Sequence, residues 1–262
     1  MTKTILITGS TDGIGLLTAQ RLAGEGHKVL LHGRNPERLK AALDGLDGHA
    51  QGYLADMSDL QAVVGLAQQV KADHPVLDVL INNAGVYKTP HTRTETGFDT
   101  RFVVNSFAPA LLTNLLMPII PSTGRVVNLS TAAQAPVDIA AMSGQGQLDD
   151  FAAYAQSKLA LTIWSQECAK SLPEGPVIVS VNPGSLLASK MVKEGFGVAG
   201  NDLGIGADIL RRAALDDSFA NMSGRYFDND SGAFAAPHPA AEDPEHCKAV
   251  MTALAELAVT PD

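Results

Sequence analysis

Short aliphatic and β-branched runs alternate along this chain with longer amphipathic stretches, and that alternation restricts the fold more than any other feature. Strand-type runs are predicted at Thr4–Thr8, Lys28–His32, Ala50–Leu54, Val79–Asn82, Arg125–Leu129, Val177–Val181 and Gly224–Phe227. Helix-type stretches are predicted between them at Ile14–Gly24, Pro36–Leu43, Leu60–Ala72, Gly97–Leu116, Phe151–Leu172 and Ile205–Leu215, with a last one at Pro244–Leu257. Strand followed by helix, repeated, is the pattern of βαβ units and a parallel sheet. Several strand runs, Ile5-Leu6-Ile7 among them, show no polar alternation. That is how strands read when helices cover both faces of a sheet. The chain therefore predicts an α/β fold with about seven strands flanked by helices.

The 262 residues contain no Pro/Gly/Ser-rich linker, so a single domain over 1–262 is expected. With 45% hydrophobic and 18% charged residues the chain can bury a substantial core and is not of the disordered type. A formal charge of -9 without a basic stripe argues against a nucleic-acid partner. Two cysteines, Cys168 and Cys247, are too few for a disulfide framework and fit a reducing compartment. The first residues read as a strand rather than a leader, and no window approaches the roughly 20 apolar residues of a membrane helix. The expectation is a cytoplasmic protein without a membrane anchor. Residues Asp228 to Pro244 are rich in Ala, Pro, Asp and His and read as an irregular surface segment. Within it, Asp228-Asn229-Asp230-Ser231-Gly232 begins like a calcium loop but lacks a ligand at the fifth position and a glutamate at the twelfth. A solvated turn and no metal are expected there.

The first strand run leads through Thr8-Gly9-Ser10-Thr11-Asp12-Gly13-Ile14-Gly15 into a helix. Glycines at such a junction let backbone N–H groups approach a pyrophosphate at the positive end of the helix, and let helix pack closely on strand. The spacing Gly-x-x-x-Gly-x-Gly differs from the Gly-x-Gly-x-x-Gly dinucleotide fingerprint, and simple turn chemistry also places glycines. Ser10 and Thr11 add hydroxyls for the same phosphates. After the second strand, Leu31-His32-Gly33-Arg34-Asn35 offers no acid for a ribose 2′-hydroxyl but one guanidinium suited to a 2′-phosphate, unless Arg34 is merely solvated. In Tyr154-Ala155-Gln156-Ser157-Lys158 the spacing of four puts a phenol and an ammonium on one helical face, about 6 Å apart along the axis. A free phenol ionises at about pH 10, so a neighbouring cation would suit it to proton transfer. Packing and solvation alone would give the same spacing.

Further motifs follow in order: Asp56 after strand three, Asn82-Asn83-Ala84-Gly85 after strand four, Val104-Asn105 in the next helix and Asn182-Pro183-Gly184 after strand six. With the glycine turn and the Tyr154/Lys158 pair, they make residues 3 to about 230 resemble the short-chain dehydrogenase/reductase family. The long interval from Gln134 to Asp150, the phrase Ala153 to Ala160, and Gly224-Arg225-Tyr226-Phe227 are similar to its retinol-dehydrogenase-like branch. That branch often carries an N-terminal membrane anchor, which this chain lacks, so a retinoid substrate does not follow.

The resemblance implies a single-domain, Rossmann-like, doubly wound parallel sheet and an NAD(P)-dependent oxidoreductase acting on CH–OH or C=O groups. It implies that Gly9, Ser10, Thr11, Asp12, Gly13, Ile14 and Gly15 cradle the pyrophosphate. Asp56 and the backbone of Met57 would meet the adenine, and Asn83, Ala84 and Gly85 would lie beneath a ribose; Asp56 also reads as a residue at a helix start. Tyr154 would transfer the proton, with Lys158 tuning it and holding the nicotinamide ribose, and Asn105 would hold a water linking Lys158 to solvent. The family's catalytic hydroxyl falls at Thr131, with Ser130 as its competitor, because neighbouring strand residues face opposite ways. Pro183 and Gly184 would lie at the nicotinamide, with Ser189 contacting its carboxamide if one residue is inserted, or Ala188 if none is. Arg34 makes NADP(H) the preferred cofactor and leaves NAD(H) open. Residues 185–206 read as a substrate lid or a plain loop, and 228–262 as a C-terminal tail. The partners expected are a small-molecule carbonyl or alcohol and further copies of the chain, a homodimer or homotetramer packed through the helices holding Asn105 and Tyr154. An NADP(H)-binding sensor or scaffold without turnover is the rival reading.

Overall fold

The computed structural model describes residues 1–46, 48, 50–188 and 200–258. Strand β1 (Thr4–Ile7) is followed by α1 (Gly13–Gly24), β2 (Lys28–Gly33), α2 (Pro36–Asp44), β3 (Ala50–Leu54), α3 (Leu60–Asp73) and β4 (Val79–Asn82). A short helix α4 (Thr100–Phe102) then passes through a π-helical turn, Val103–Phe107, into α5 (Ala108–Leu116). After β5 (Arg125–Leu129) come α6 (Ile139–Met142), α7 (Asp150–Ser171), β6 (Val177–Asn182) and α8 (Leu203–Leu215). Strands β7 (Tyr226–Asp228) and β8 (Ala233–Ala235) and helix α9 (Pro244–Ala258) complete the chain. The helices begin where an Asp or Asn side chain accepts a free backbone N–H, as Asn35 does from Arg38 and Asp149 from Ala152.

One sheet runs in the order β3-β2-β1-β4-β5-β6-β7-β8. Neighbours are parallel from β3 to β7, and only the β7–β8 pair is antiparallel. Successive strand residues face opposite ways. Ile5 and Ile7 of β1 therefore join the core beneath α1 and α8 with Leu22 and Ile209. Leu6 joins the opposite core with Leu66 of α3 and Leu112 of α5. A third cluster brings Val250 and Leu254 of α9 together with Phe107, Ala110 and Trp164. In this chain α9 thus covers a face of the two helices through which the family resemblance implies subunit packing.

Three expectations need correction. The helical run Thr100–Ile119 is 20 residues long with mean hydropathy 1.5, apolar and long enough to cross a membrane, yet 72% of it is buried in the fold. Its apolarity belongs to a largely buried core helix. The segment after β7 is not simply irregular, because Ala233–Ala235 adds an eighth strand. Phe234 anchors it, its ring 5.1 Å from Phe219 and 5.0 Å from Phe227; three residues are too few for a periodicity to show. The turn at Asp228-Asn229-Asp230 is not merely solvated. Asn182 donates to Asp228 Oδ1 at 2.8 Å and to Asp230 Oδ2 at 2.9 Å, and Ser185 N–H donates to Asp230 Oδ1 at 2.8 Å, so both carboxylates tether the end of β6.

Arg101 joins the starts of α4 and α7. It is 1% exposed and its guanidinium forks onto Asp99, at 2.9 and 2.7 Å, and reaches Asp150. The Asp99 bonds hold the guanidinium in its charged form against the effect of burial. Removing one member of such a group strands a charge. Arg101→Met is expected to lower the unfolding free energy by about 3 to 5 kcal/mol in urea titrations, with the loss reduced when Asp99 is replaced by Asn in the same chain.

Candidate active site

All parallel strands end at the same edge, and a cleft opens beside β1 and β4, where the strand order reverses. The turn after β1 is shaped by close approaches. Gly9 and Gly13 have φ of +63 and +57, a region open to glycine at no steric cost. A Cβ on Gly15 would lie 2.5 Å from both Gly9 O and Asn83 Nδ2, and one on Gly9 would lie 2.9 Å from Ala84 Cα. Asn83 donates to Thr8 O at 2.8 Å and to Gly9 O at 2.9 Å, while Thr8 Oγ1 accepts the N–H groups of Asn83 and Ala84 at 3.0 Å. Nothing lies within 4 Å of the place a Gly13 Cβ would take. Asp12 Oδ1 accepts Gly13 N–H at 2.7 Å, and the start of α1 otherwise faces the cleft uncrowded, the placement an anion site uses.

The cleft holds about 540 Å³ and is lined by Gly9, Thr11 to Gly15, Arg34, Asp56, Met57, Asn83 to Gly85, Tyr154, Lys158 and Pro183. Ser10 is absent from the lining, against expectation. It is fully buried, and its hydroxyl donates to Ile7 O at 2.8 Å and accepts from His32 N–H at 2.9 Å, holding the turn from below. Gly184, with φ +125, packs instead beside Leu187 and Ile205. Ser189 lies outside the described residues, as does much of the 185–206 segment. Its rival Ala188 donates to Asn201 O at 2.7 Å, and Asn201 N–H donates to Leu186 O at 2.7 Å, so the two flanks of that segment are joined.

At one end of the cleft the Arg34 guanidinium lies 3.7 Å from Asp56 and is 69% exposed, free to turn to a ligand. Asp56 lines the cleft and braces the turn ahead of α3, whose cap is Asp59. Its Oδ1 accepts from Ser58 N–H and Oγ at 2.9 and 2.7 Å, and its Oδ2 faces Arg34. Arg38, which the sequence reading missed, adds a second guanidinium to the lining, 4.0 Å from Asp12. The Asn35 cap was the available signal, since it aims the first turn of α2 across the cleft. His32 was missed as well.

At the other end the Thr131 side chain lies close enough to the Tyr154 phenol to act on it. Burial pushes the phenol above its ordinary value, the Thr131 side chain draws it down, and the Tyr87 ring, 5.4 Å away at 68°, stands edge-on to it. Lys158 is anchored on the main chain. Its Nζ donates to Leu129 O at 2.6 Å, the residue is 3% exposed, and burial lowers its pKa to about 8. Ser130 also lines the cleft, but its hydroxyl is engaged elsewhere. Its hydroxyl pairs with Thr162 Oγ1 at 2.7 Å in the interior. Asn105 sits in the π-helical turn, a feature that recurs at functional sites. Its amide donates to Val86 O and to Ser157 Oγ, both at 2.9 Å, and accepts Val86 N–H at 2.8 Å. Both donors are spent, leaving one acceptor lone pair for the water the resemblance implies.

The arrangement can bind an anion at the start of α1, hold a second anionic group between Arg34 and Arg38, and present a paired hydroxyl and phenol to a reacting oxygen. The buried Lys158 sets a stability test. Below about pH 8 the folded chain carries a desolvated ammonium; between about 8 and the ordinary 10.5 only the unfolded chain is protonated, so stability rises with pH across that window. Lys158→Met is therefore expected to be more stable than wild type at neutral pH, by up to about 3 kcal/mol, with the gap closing above about pH 8 in thermal or urea unfolding.

Comparison with known proteins agrees with this geometry. The short chain dehydrogenase family model matches residues 3–196. Retinol dehydrogenase 13 of Homo sapiens is 30% identical over 287 residues, covering 97% of this chain and 84% of that protein. Among solved structures, a putative uncharacterized protein from Mycobacterium Paratuberculosis superposes with a TM-score of 0.81 at 27% identity, covering 98% of this chain and 94% of the other. A metagenomic short-chain oxidoreductase solved in complex with NADP gives 0.64 at 29% identity, covering 83% and 93%. The chain belongs to the short-chain dehydrogenase/reductase family, as an NAD(P)-dependent oxidoreductase of CH–OH groups distantly related to the retinol dehydrogenases.

Proposed function

We propose that the protein prefers NADP(H) and interconverts a carbonyl and a secondary or primary alcohol on a small molecule. The observation that carries the cofactor preference is the pair of guanidiniums, Arg34 and Arg38, where β2 enters α2 with no acid at the strand end. A planar guanidinium suits a 2′-phosphate, whereas an NAD site places a carboxylate there. The residues fit a dinucleotide along the cleft: the glycine turn and the start of α1 for the pyrophosphate, Asp56 and Met57 for the adenine, and Lys158 for the ribose at the reacting end. The metagenomic relative solved with NADP supports the same assignment. Once bound, the nicotinamide supplies or accepts the hydride.

The protein's own share is to orient the substrate and move the proton. In reduction Tyr154 gives its phenol proton to the developing alkoxide, while Thr131 hydrogen-bonds the same oxygen. Burial keeps the phenol protonated at neutral pH, which suits it to donate. Thr131 is kept in place by its carbonyl, which accepts from Tyr226 Oη at 3.1 Å and Gln134 Nε2 at 2.9 Å. The Asn105 amide fixes the Val86 segment beside the reacting end rather than supplying a proton.

NADPH and NADH oxidation followed in parallel over aldehydes, ketones, quinones and retinaldehyde tests this reading. Turnover with NADPH is expected, and Tyr154→Phe should lose about 100-fold or more of it while still binding cofactor. Retention of most turnover by that variant would sink the assignment. Arg34→Asp should lose the NADPH preference; an unchanged preference would remove the 2′-phosphate role. Cofactor binding without oxidation across the whole panel would favour the sensor.

A further inference from the structure

His32 ends β2 with its ring turned inward: the residue is 2% exposed, yet it also lines the cleft beside Gly33 and Arg34. Gly9 N–H donates to its Nδ1 at 3.1 Å, and its Nε2 lies 3.1 Å from Ala55 O. Because Nδ1 accepts, the ring proton belongs on Nε2 and is donated to Ala55. The main chain of the same residue is joined to the turn as well. His32 N–H donates to Ser10 Oγ, and Ser10 N–H donates to His32 O, both at 2.9 Å. Three segments therefore meet on one residue: the glycine turn after β1, the end of β2 that presents Arg34, and the end of β3 that leads to Asp56 and Met57. No sequence motif draws on His32, and the mechanism above does not use it.

We propose that His32 is the positioning residue of the cofactor cleft, its imidazole fixing the phosphate-facing turn through the N–H of Gly9. The proposal rests on the NADP(H) reading of the preceding subsection. Main-chain bonds at Ser10 and the β1–β2–β3 ladder already join these segments; what the ring adds is an acceptor for Gly9 N–H, and its Nε2–H bond to Ala55 fixes the tautomer that leaves Nδ1 free to accept. The rival role is a cationic His32 that grips a phosphate directly. Geometry disfavours it, because Gly9 N–H already occupies the Nδ1 lone pair that a proton would need. Burial acts in the same sense, lowering the ring's pKa to about 4, while Asp56 pulls weakly the other way. Asp56 aside, Arg34, Arg38, Asp12 and Lys158 are the other charged groups lining the cleft.

The test is a fluorescence titration of NADPH into wild type, His32→Val, His32→Asn and His32→Gln between about pH 5 and 8, with thermal unfolding of each empty protein alongside. Asn sets an amide oxygen where Nδ1 accepts; Gln keeps a donor toward Ala55 but has no acceptor beside Gly9. The Kd for NADPH is expected to rise about tenfold or more in His32→Val and in His32→Gln, with Asn restoring it to within about threefold. The ratio of wild-type to Asn affinity should stay flat with pH, the cofactor's own titration cancelling. Equal affinity in wild type and His32→Val overturns the proposal. So does a wild-type advantage over Asn that grows as pH falls through about 6.5, the mark of an imidazolium on phosphate. If His32→Val does not fold, His32→Gln decides in its place. A wild-type protein that binds neither NADPH nor NADH removes the cofactor reading itself and this inference with it, a result distinct from an unaffected variant.

Discussion

The site depends on one amide. Asn83 spends both of its side-chain hydrogens on the carbonyls of Thr8 and Gly9, and so welds the turn after β1 to the end of β4. Those two strands flank the point where the sheet order reverses, and a cleft must open there because the following crossovers leave to opposite faces. Without the weld, the carbonyl of Gly9 would be free to rotate into the cleft and meet an incoming anion. With it, the carbonyls point inward and the N–H end of α1 is what a ligand encounters. Gly15 is required for the same reason, since any side chain there would strike both partners of the bond.

The reacting end works by the opposite principle, keeping polar groups imperfectly satisfied. Tyr154 and Lys158 are held away from water, and burial pushes each toward its neutral form, the phenol upward and the ammonium downward. A fold selected for stability alone would place apolar side chains at both positions. The adjoining groups are by contrast tied down: Ser130 to Thr162, and both hydrogens of the Asn105 amide to Val86 and Ser157. Titratable groups under strain, framed by groups that have no freedom to move, are what an acid–base site requires.

Much of this was legible in the residues. The order of strands and helices followed from apolar run length and turn chemistry, and element ends shifted by a few residues at most, as with α8, which begins at Leu203 rather than Ile205. The glycine turn, Arg34, Asp56 and the Tyr154/Lys158 pair all carried their position in local spacing, and all reach one cleft. What stayed hidden depends on contacts between distant segments. Nothing near Ser10 shows that its hydroxyl turns inward to β2, and nothing near Asn105 shows that the Val86 main chain takes both ends of its amide. The bond from the Ser130 hydroxyl to Thr162 could not be read from the strand pattern, because its partner lies 32 residues away. Strand β8 escaped notice because its pairing is supplied by one aromatic residue rather than by a repeat.

The C-terminal segment is more than an appendage to this arrangement. His238 N–H donates to Gln134 Oε1 at 2.9 Å, and the same Gln134 amide donates to Ser130 Oγ at 3.2 Å and Thr131 O at 2.9 Å. Tyr226 reaches the same carbonyl from β7. Residues separated by a hundred positions thus share the task of seating the Thr131 main chain. Exchanging the last forty residues for a foreign segment would take Tyr226 and His238 away from the turn after β5, so the chain's end acts as a buttress for the middle of its site.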